Sequence, residues 1–259
     1  MSLEGRVALV TGAGQGIGKS IAHILACRGM HVAVNDVQGE SAEAVAQEIC
    51  RDGHSALALA ADITRKAEVE AMMDRVEKQL GPLWLLVNNA GIYFSGPTAD
   101  MSEEAWDKAF AVDAKGVFLC SQASIRRMIP RRAGRIVNLG SIAGIVVRTK
   151  QIGYCAAKAA VVHFSRCLAV EMAPYGITVN CLCPRMTRTE MLEQGARERR
   201  MNLEAMVELI PGGRMASPED HASLVAYLAS DEAGHVTGQV ISVDGGQSQF
   251  LPLVRPGSS

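Results

Sequence analysis

The chain is predicted to fold as one doubly wound α/β domain around a seven-stranded parallel sheet. Seven short apolar runs punctuate the sequence, and most of the segments between them carry apolar residues at helical spacing. The runs are largely consecutive apolar residues rather than strict alternations, as expected of strands covered by helices on both faces. The composition allows it: 259 residues with 48% apolar and 20% charged side chains can bury a full core, which excludes a disordered chain.

Taken in order, Val7–Val10 is the first strand, and Ile17, Ile21, Ile24 and Leu25 mark the helix after it. Val32–Val34 and Ala56–Ala60 follow as strands two and three, and Val69, Met72, Met73, Val76 and Leu80 trace the next helix. Leu83–Val87, Ile136–Leu139, Ile177–Leu182 and Val240–Val243 complete the set. No linker, repeat or low-complexity block divides residues 1–250, so a single domain is expected. Over 185–215 the rhythm stalls in a polar helical stretch, Glu190 to Glu208, that ends at Pro211-Gly212-Gly213; an excursion here is expected to be a lid or binding loop. The tail, 251–259, has two prolines and no periodicity, and is expected to be loosely held unless a partner subunit pins it.

Charge excludes some partners. With 26 Lys+Arg against 27 Asp+Glu the net charge is −1, which gives no reason to expect nucleic acid or an acidic surface. The seven cysteines are odd in number, irregularly spaced and mostly set in apolar runs, as in a reduced, cytoplasmic protein. Cys181-x-Cys183 is too tightly spaced for half of a zinc site, so both read as core residues and no metal is expected. Val7–Val10 is too short to be the apolar core of a secretory signal, and no run is long enough to span a bilayer.

Directly after the first strand, Thr11-Gly12-Ala13-Gly14-Gln15-Gly16-Ile17-Gly18 leads into a helix, which aims backbone N–H groups and the positive helix end at an anion. Neither standard glycine pattern fits: Ile17 stands where G-x-G-x-x-G needs its third glycine, and Ala13 where a P-loop ending in Gly18-Lys19-Ser20 needs its first. What remains, T-G-x-x-x-G-x-G between strand and helix, suits a dinucleotide. Asp36 ends the second strand eighteen residues beyond Gly18, where a carboxylate reaches ribose hydroxyls. It would repel a 2′-phosphate, and no Arg or Lys between Val32 and Ala46 could neutralise one, so NAD is the expected cofactor.

This turn, Asp62-Ile63 after the third strand, Asn88-Asn89-Ala90-Gly91 after the fourth, Ser141 after the fifth and Tyr154-x-x-x-Lys158 thirteen residues later together resemble the short-chain dehydrogenase/reductase family. The likeness runs from about Gly5 to Gly246. It implies a Rossmann-like domain in which Gly12, Gln15, Gly16, Ile17 and Gly18 hold the dinucleotide and Asp62 and Ile63 its adenine. Asn89, Ala90 and Gly91 would line the groove, Thr187 and Thr189 after Pro184 would meet the nicotinamide end, and Tyr154 and Lys158 would border it. A homotetramer is implied too.

Tyr154 and Lys158, four apart, share a helix face. A phenol is a poor base near neutrality, but an ammonium beside it stabilises the phenolate, which can then take the proton of a substrate hydroxyl as hydride leaves the same carbon. By the resemblance Ser141 bonds the substrate oxygen and Lys158 also holds the ribose. Tyr-x-x-x-Lys alone is most often a surface pair; here Ser141 and the upstream turn give it weight.

Two departures stand out. The family's V-N-x-x-G-x-F pattern reads Val112-Asp113-Ala114-Lys115-Gly116-Val117-Phe118 here, so Asp113 occupies the proton-relay position of an Asn; a charge there is expected to hold the Lys158 ammonium more firmly and shift the pH profile. Arg185 replaces the Gly after Pro184 and, with Arg188, Arg148 and Lys150, would favour an anionic substrate, unless these are solvated loop charges. Arg126, Arg127, Arg131, Arg132 and Arg135 form a further basic cluster, read either as helix-end charges or as a dock for an acidic acyl-carrier protein. The expected activity is reversible hydride transfer at a small secondary alcohol such as a polyol, hydroxy acid or sugar. The alternatives are a 3-oxoacyl-thioester reductase and a non-catalytic dinucleotide-binding regulator.

Overall fold

The computed structural model describes residues 3–189, 192–193, 196 and 202–249. Seven strands, β1 (Val7–Val10), β2 (His31–Asp36), β3 (Ala56–Ala60), β4 (Leu83–Asn88), β5 (Gly134–Leu139), β6 (Ile177–Pro184) and β7 (Val240–Val243), form one sheet in the order β3-β2-β1-β4-β5-β6-β7. Every pairing is parallel. The chain starts mid-sheet at β1, winds outward to β3, and returns beside β1 as β4, with Val10 level with Val34 on one side and Val87 on the other. That reversal leaves a crevice beyond the carboxyl ends of β1 and β4, where ligands of this architecture bind.

Helices α1 (Gly16–Cys27) and α2 (Gly39–Arg51) cover one face of the sheet, joined by the later helix Pro218–Ala229. Helices α3 (Lys66–Leu80), α5 (Val117–Met128) and α6 (Ile152–Met172) cover the other. The periodicities expected from sequence lie inward, with Ile21 and Leu25 of α1 and Val69, Met72, Met73 and Val76 of α3 buried. The burial expected of strands covered on both faces holds for β1 and β5, although β5 also buries the polar Arg135 and Asn138, and it weakens at the edge, where β7 is half-buried along its length.

Between α4 (Glu103–Phe110) and α5 the backbone widens into a π-helical stretch, Ala111–Gly116, that carries Asp113; such stretches are uncommon and often occur at functional sites. Nothing in the spacing of the sequence announces it. About half of the expected polar helical stretch Glu190 to Glu208 lies outside the described residues, as does the tail 251–259. Its described part includes α7 (Leu203–Val207), capped by Asn202. Pro211-Gly212-Gly213 folds back onto the turn after β7, with Gly212 N–H donating to the Gly245 carbonyl at 2.9 Å. Ser217 and Asp220 then cap α8 (Pro218–Ala229) reciprocally.

The arginine cluster belongs to the packing of α5 on α3. Arg126 and Arg127 bond Glu70 at 3.3 and 3.1 Å, Arg127 also reaches Asp74 and Glu77, and Arg131 pairs with Glu77. Arg135 is buried over Trp84, which Arg6 also covers. Among the described residues no helix is long and apolar enough to cross a membrane, and no group of three His, Cys, Asp or Glu could hold a metal ion. Cys181 and Cys183 are buried, sulfur to sulfur at 3.9 Å.

Candidate active site

The glycine-rich turn is shaped by contacts that leave no room for side chains. Gly12 and Gly16 have φ of 59° and 57°, and a Cβ on Gly12 would lie 2.7 Å from the Ala90 Cα. One on Gly18 would collide with Asn89 Nδ2 and the Gly12 carbonyl. Helix α1 opens at Gly16 with no side-chain cap at the exposed Gln15 and no acid in its first turn, so its leading amides are left for an anion. The apparent P-loop ending is engaged elsewhere: Lys19 pairs with Glu48 at 2.7 Å, and Ser20 with Glu219.

Asp36 stands against this turn. Its Oδ2 accepts from Gly14 N at 3.1 Å and its Oδ1 from Gln38 N at 3.0 Å, which aims the carboxylate into the mouth of the turn. Asn89 acts as a brace: its Nδ2 donates to the carbonyls of Thr11 and Gly12, both at 2.9 Å, while Thr11 Oγ1 accepts from the amides of Asn89 and Ala90. Thr11 is thus the organiser joining β1 to β4. Burial raises the Asp62 carboxyl, but bonds from the Thr64 amide and hydroxyl outweigh it and hold the group below its usual range. Ile63 is buried and packs against Gly116. A bare glycine turn, uncapped helix amides and a fixed carboxylate fit a dinucleotide well.

The chemical groups gather where β5 meets α6. Ser141 follows β5 and caps the short turn Ile142–Gly144; its Oγ accepts from Ala143 N at 3.1 Å, which leaves the hydroxyl proton to donate. Gly144 packs directly on the backbone of Lys158, where any Cβ would lie 2.7 Å from the Lys158 carbonyl, so the serine turn and α6 are in register. Lys158 Nζ donates to the Leu139 carbonyl at 3.0 Å and lies 5.8 Å from the centre of the Tyr154 ring. Tyr93, half exposed, meets Tyr154 edge-on at 5.4 Å.

Asp113 is fully buried and faces Lys158, Oδ1 to Nζ 3.3 Å; Oδ1 also accepts from Ile92 N at 3.1 Å, while Oδ2 has no partner among the described residues. Burial raises the Asp113 carboxyl above its usual range, opposed by Lys158. For Lys158 burial works against the ammonium, but the facing Asp113 carboxylate and Tyr154 outweigh it and favour the charged form. Gly91 seals the pair, since a Cβ there would lie 2.6 Å from Asp113 Oδ1 and 3.2 Å from Lys158 Nζ.

Some expected residues turn elsewhere. Thr187, expected at the nicotinamide end, is buried, and its hydroxyl lies 2.7 Å from Nε2 of His221, a residue without a motif of its own. Arg185 Nε donates to Gln247 Oε1 at 2.7 Å, and Arg188 is 3.9 Å from Glu193. Behind the site lies a buried polar network that sequence reasoning misses: Asn88 bonds Asn138 and Ser121, and Asn138 bonds Ser165.

Comparison with known proteins agrees with this geometry. A family model described as enoyl-(acyl carrier protein) reductase matches residues 12–248. The 2,3-dihydro-2,3-dihydroxybenzoate dehydrogenase of Bacillus subtilis is 38% identical over 251 residues, covering 94% of this chain and 96% of the relative. The 3-oxoacyl-[acyl-carrier-protein] reductase of Escherichia coli is 37% identical over 246 residues, covering 95% and 98%. A short-chain type dehydrogenase/reductase from Mycobacterium marinum superposes with a TM-score of 0.89 at 37% identity, covering 95% of this chain and 96% of its own. These likenesses extend from the glycine turn past the last strand, and the chain belongs to the short-chain dehydrogenase/reductase family.

Proposed function

We propose that the protein is an NAD-dependent dehydrogenase that moves hydride reversibly between a small secondary alcohol and the nicotinamide ring. The observation that carries the cofactor choice is the Asp36 carboxylate fixed on Gly14 N at 3.1 Å, where a 2′-phosphate would meet its charge. Gly12, Gln15, Gly16, Ile17 and Gly18 would hold the pyrophosphate, and Asp62, Ile63, Asn89, Ala90 and Thr189 the rest of the cofactor. Bound there, NAD supplies the hydride acceptor.

The protein's own groups manage the oxygen. Ser141 donates its free hydroxyl proton to the substrate oxygen and orients it. Tyr154, as phenolate beside the Lys158 ammonium, takes the hydroxyl proton onto Oη; in the reverse direction it returns that proton to a carbonyl oxygen. Lys158 is held for this by the Leu139 carbonyl and Asp113. A homotetramer remains part of this reading through the family resemblance, with Phe118 of α5 and Val170 of α6 exposed on the helices that would pair.

A second reading, reduction of a 3-oxoacyl thioester, is favoured by the 37% identity to the Escherichia coli enzyme. Against it, three arginines of the basic cluster that would dock a carrier protein, Arg126, Arg127 and Arg131, are engaged by Glu70, Asp74 and Glu77. An anionic small substrate would rely on Arg148 and Lys150, because Arg185 is turned to Gln247. The deciding experiment is NADH formation across polyols, hydroxy acids and sugar acids, alongside NADPH oxidation with an acetoacetyl thioester. Turnover with NAD that vanishes in Tyr154→Phe is expected; turnover confined to NADPH and the thioester would replace this reading with the second. Tight NADH binding with no turnover on any compound would favour a regulator.

A further inference from the structure

We propose that Thr187 and His221 form a positioning pair that holds Thr189 over the glycine-rich turn and so sets how tightly the nicotinamide cofactor is retained. The proposal rests on the reading of residues 12–18 as the cofactor turn.

His221 lies on the inner face of α8, fully buried beside Ala222 and Val225. An apolar residue would fill that place without leaving a ring nitrogen unsatisfied, yet His221 Nδ1 is buried and without a partner among the described residues. Its other nitrogen, Nε2, makes a 2.7 Å bond with Thr187 Oγ1, which itself lies 3.3 Å from the Arg185 carbonyl. One arrangement of protons satisfies this chain at least cost. If Thr187 donated to Nε2, the ring proton would sit on Nδ1 as a buried donor with no acceptor. With the proton on Nε2, His221 donates to Thr187, Thr187 donates to the Arg185 carbonyl, and only an acceptor is left bare. The side chains of β6's exit and α8 are thereby tied in one direction.

The backbone is tied at the same place. Thr187 bridges Ala216, Arg188 N donates to the Ala216 carbonyl at 2.8 Å, and Ala216 N to the Met186 carbonyl at 3.2 Å. Two residues further on, Thr189 comes down on the glycine turn, where a Cβ built on Gly16 would lie 3.7 Å from Thr189 Cγ2. The Thr189 hydroxyl accepts from Leu192 N at 3.2 Å. Thr189 is therefore placed by what anchors Thr187: the bridge to Ala216 holds its backbone, and His221 holds its side chain.

The test measures the NADH dissociation constant by fluorescence, with kcat and the substrate KM, for Thr187→Val, Thr187→Ser, His221→Leu and His221→Gln. Removing one hydrogen bond is expected to raise the NADH dissociation constant about tenfold in Thr187→Val and His221→Leu, while kcat at saturating cofactor stays within about twofold in His221→Leu. Thr187→Ser keeps the hydroxyl and His221→Gln keeps an N–H donor, so both are expected to bind close to wild type. Unaltered NADH affinity in either folded apolar variant overturns the pair. So does a joint loss of kcat, KM and affinity that Ser and Gln do not rescue, because that marks a general structural defect. A wild-type protein that binds neither NADH nor NADPH would overturn the cofactor turn itself.

Discussion

Replacing Asp113 by Asn removes a buried charge while nearly preserving shape, and its effect on the pH–rate profile can be sized from the geometry. The Lys158 ammonium lies 5.8 Å from the centre of the Tyr154 ring, and at an effective dielectric of about 20 a unit charge at that distance favours a phenolate by about 3 kcal/mol. The Asp113 carboxylate is 3.3 Å beyond Nζ, hence no more than 5.8 + 3.3 Å from the ring, and its opposite charge takes back about 2 kcal/mol. Removing it restores about 2 kcal/mol of stabilisation to negative charge developing at the proposed base, and 1.36 kcal/mol corresponds to one pH unit in a rate profile. The assay is kcat/KM for alcohol oxidation against pH, whose rising limb should move down by about one unit in Asp113→Asn. Asn can still accept from Ile92 N, so a thermal melt should show a folded protein. A rising limb that stays within about 0.2 units of wild type, or moves upward, would refute the charge argument.

Three further outcomes follow from the same structure. His221 is pushed down by burial to about 4, so between its ordinary value of 6.5 and 4 the unfolded chain binds the extra proton; stability is full above about 6.5 and should fall by roughly 3 kcal/mol as pH drops to 4, a slope that urea melts of His221→Gln should lack. In Gly91→Ala the new Cβ meets Asp113 Oδ1 at 2.6 Å and Lys158 Nζ at 3.2 Å, so a displaced Lys158 should lower kcat about 100-fold with circular dichroism unchanged; wild-type turnover would contradict the contact. Asn138→Leu strips partners from Asn88 and Ser165 inside the core and should cost about 2–4 kcal/mol, read as a lower urea midpoint.

The elements and the chemical motifs were legible because their signals are local. Each of the seven strands contains its expected apolar run, and β2, β4, β5 and β6 extend beyond it by one to three residues, as with Asn35 and Asp36, Asn88, Gly134 and Arg135, and Cys183 and Pro184. The glycine turn, Ser141 and the Tyr154–Lys158 pair are all carried by short spacings, and parallel topology brings them to the same sheet edge. Asp113 was visible as a departure, but its 3.3 Å contact with Lys158 depends on the π-helical stretch, which has no sequence signature.

What stayed hidden is the pairing of polar residues far apart in the chain. Thr187 and His221 are 34 positions apart, Asn88 and Asn138 50, and Arg127 and Glu70 57. In each pair one partner alone suggests something different: a histidine on an apolar helix face reads as core, and an arginine cluster as a docking surface. Only the stacking of α8 beneath the exit of β6, of β5 beside β4, and of α5 on α3 supplies the partner. A buried polar group must find a partner somewhere, so every such residue in the sequence poses a question about topology. The arginines show the same: α3 supplies Glu70, Asp74 and Glu77 to Arg126, Arg127 and Arg131, so three of the five charges that suggested an acidic macromolecule are paired within the fold. The crevice at β1 and β4 keeps a carboxylate at its mouth, Asp36 on Gly14 N at 3.1 Å, and on the proposed reading that charge opposes an additional phosphate.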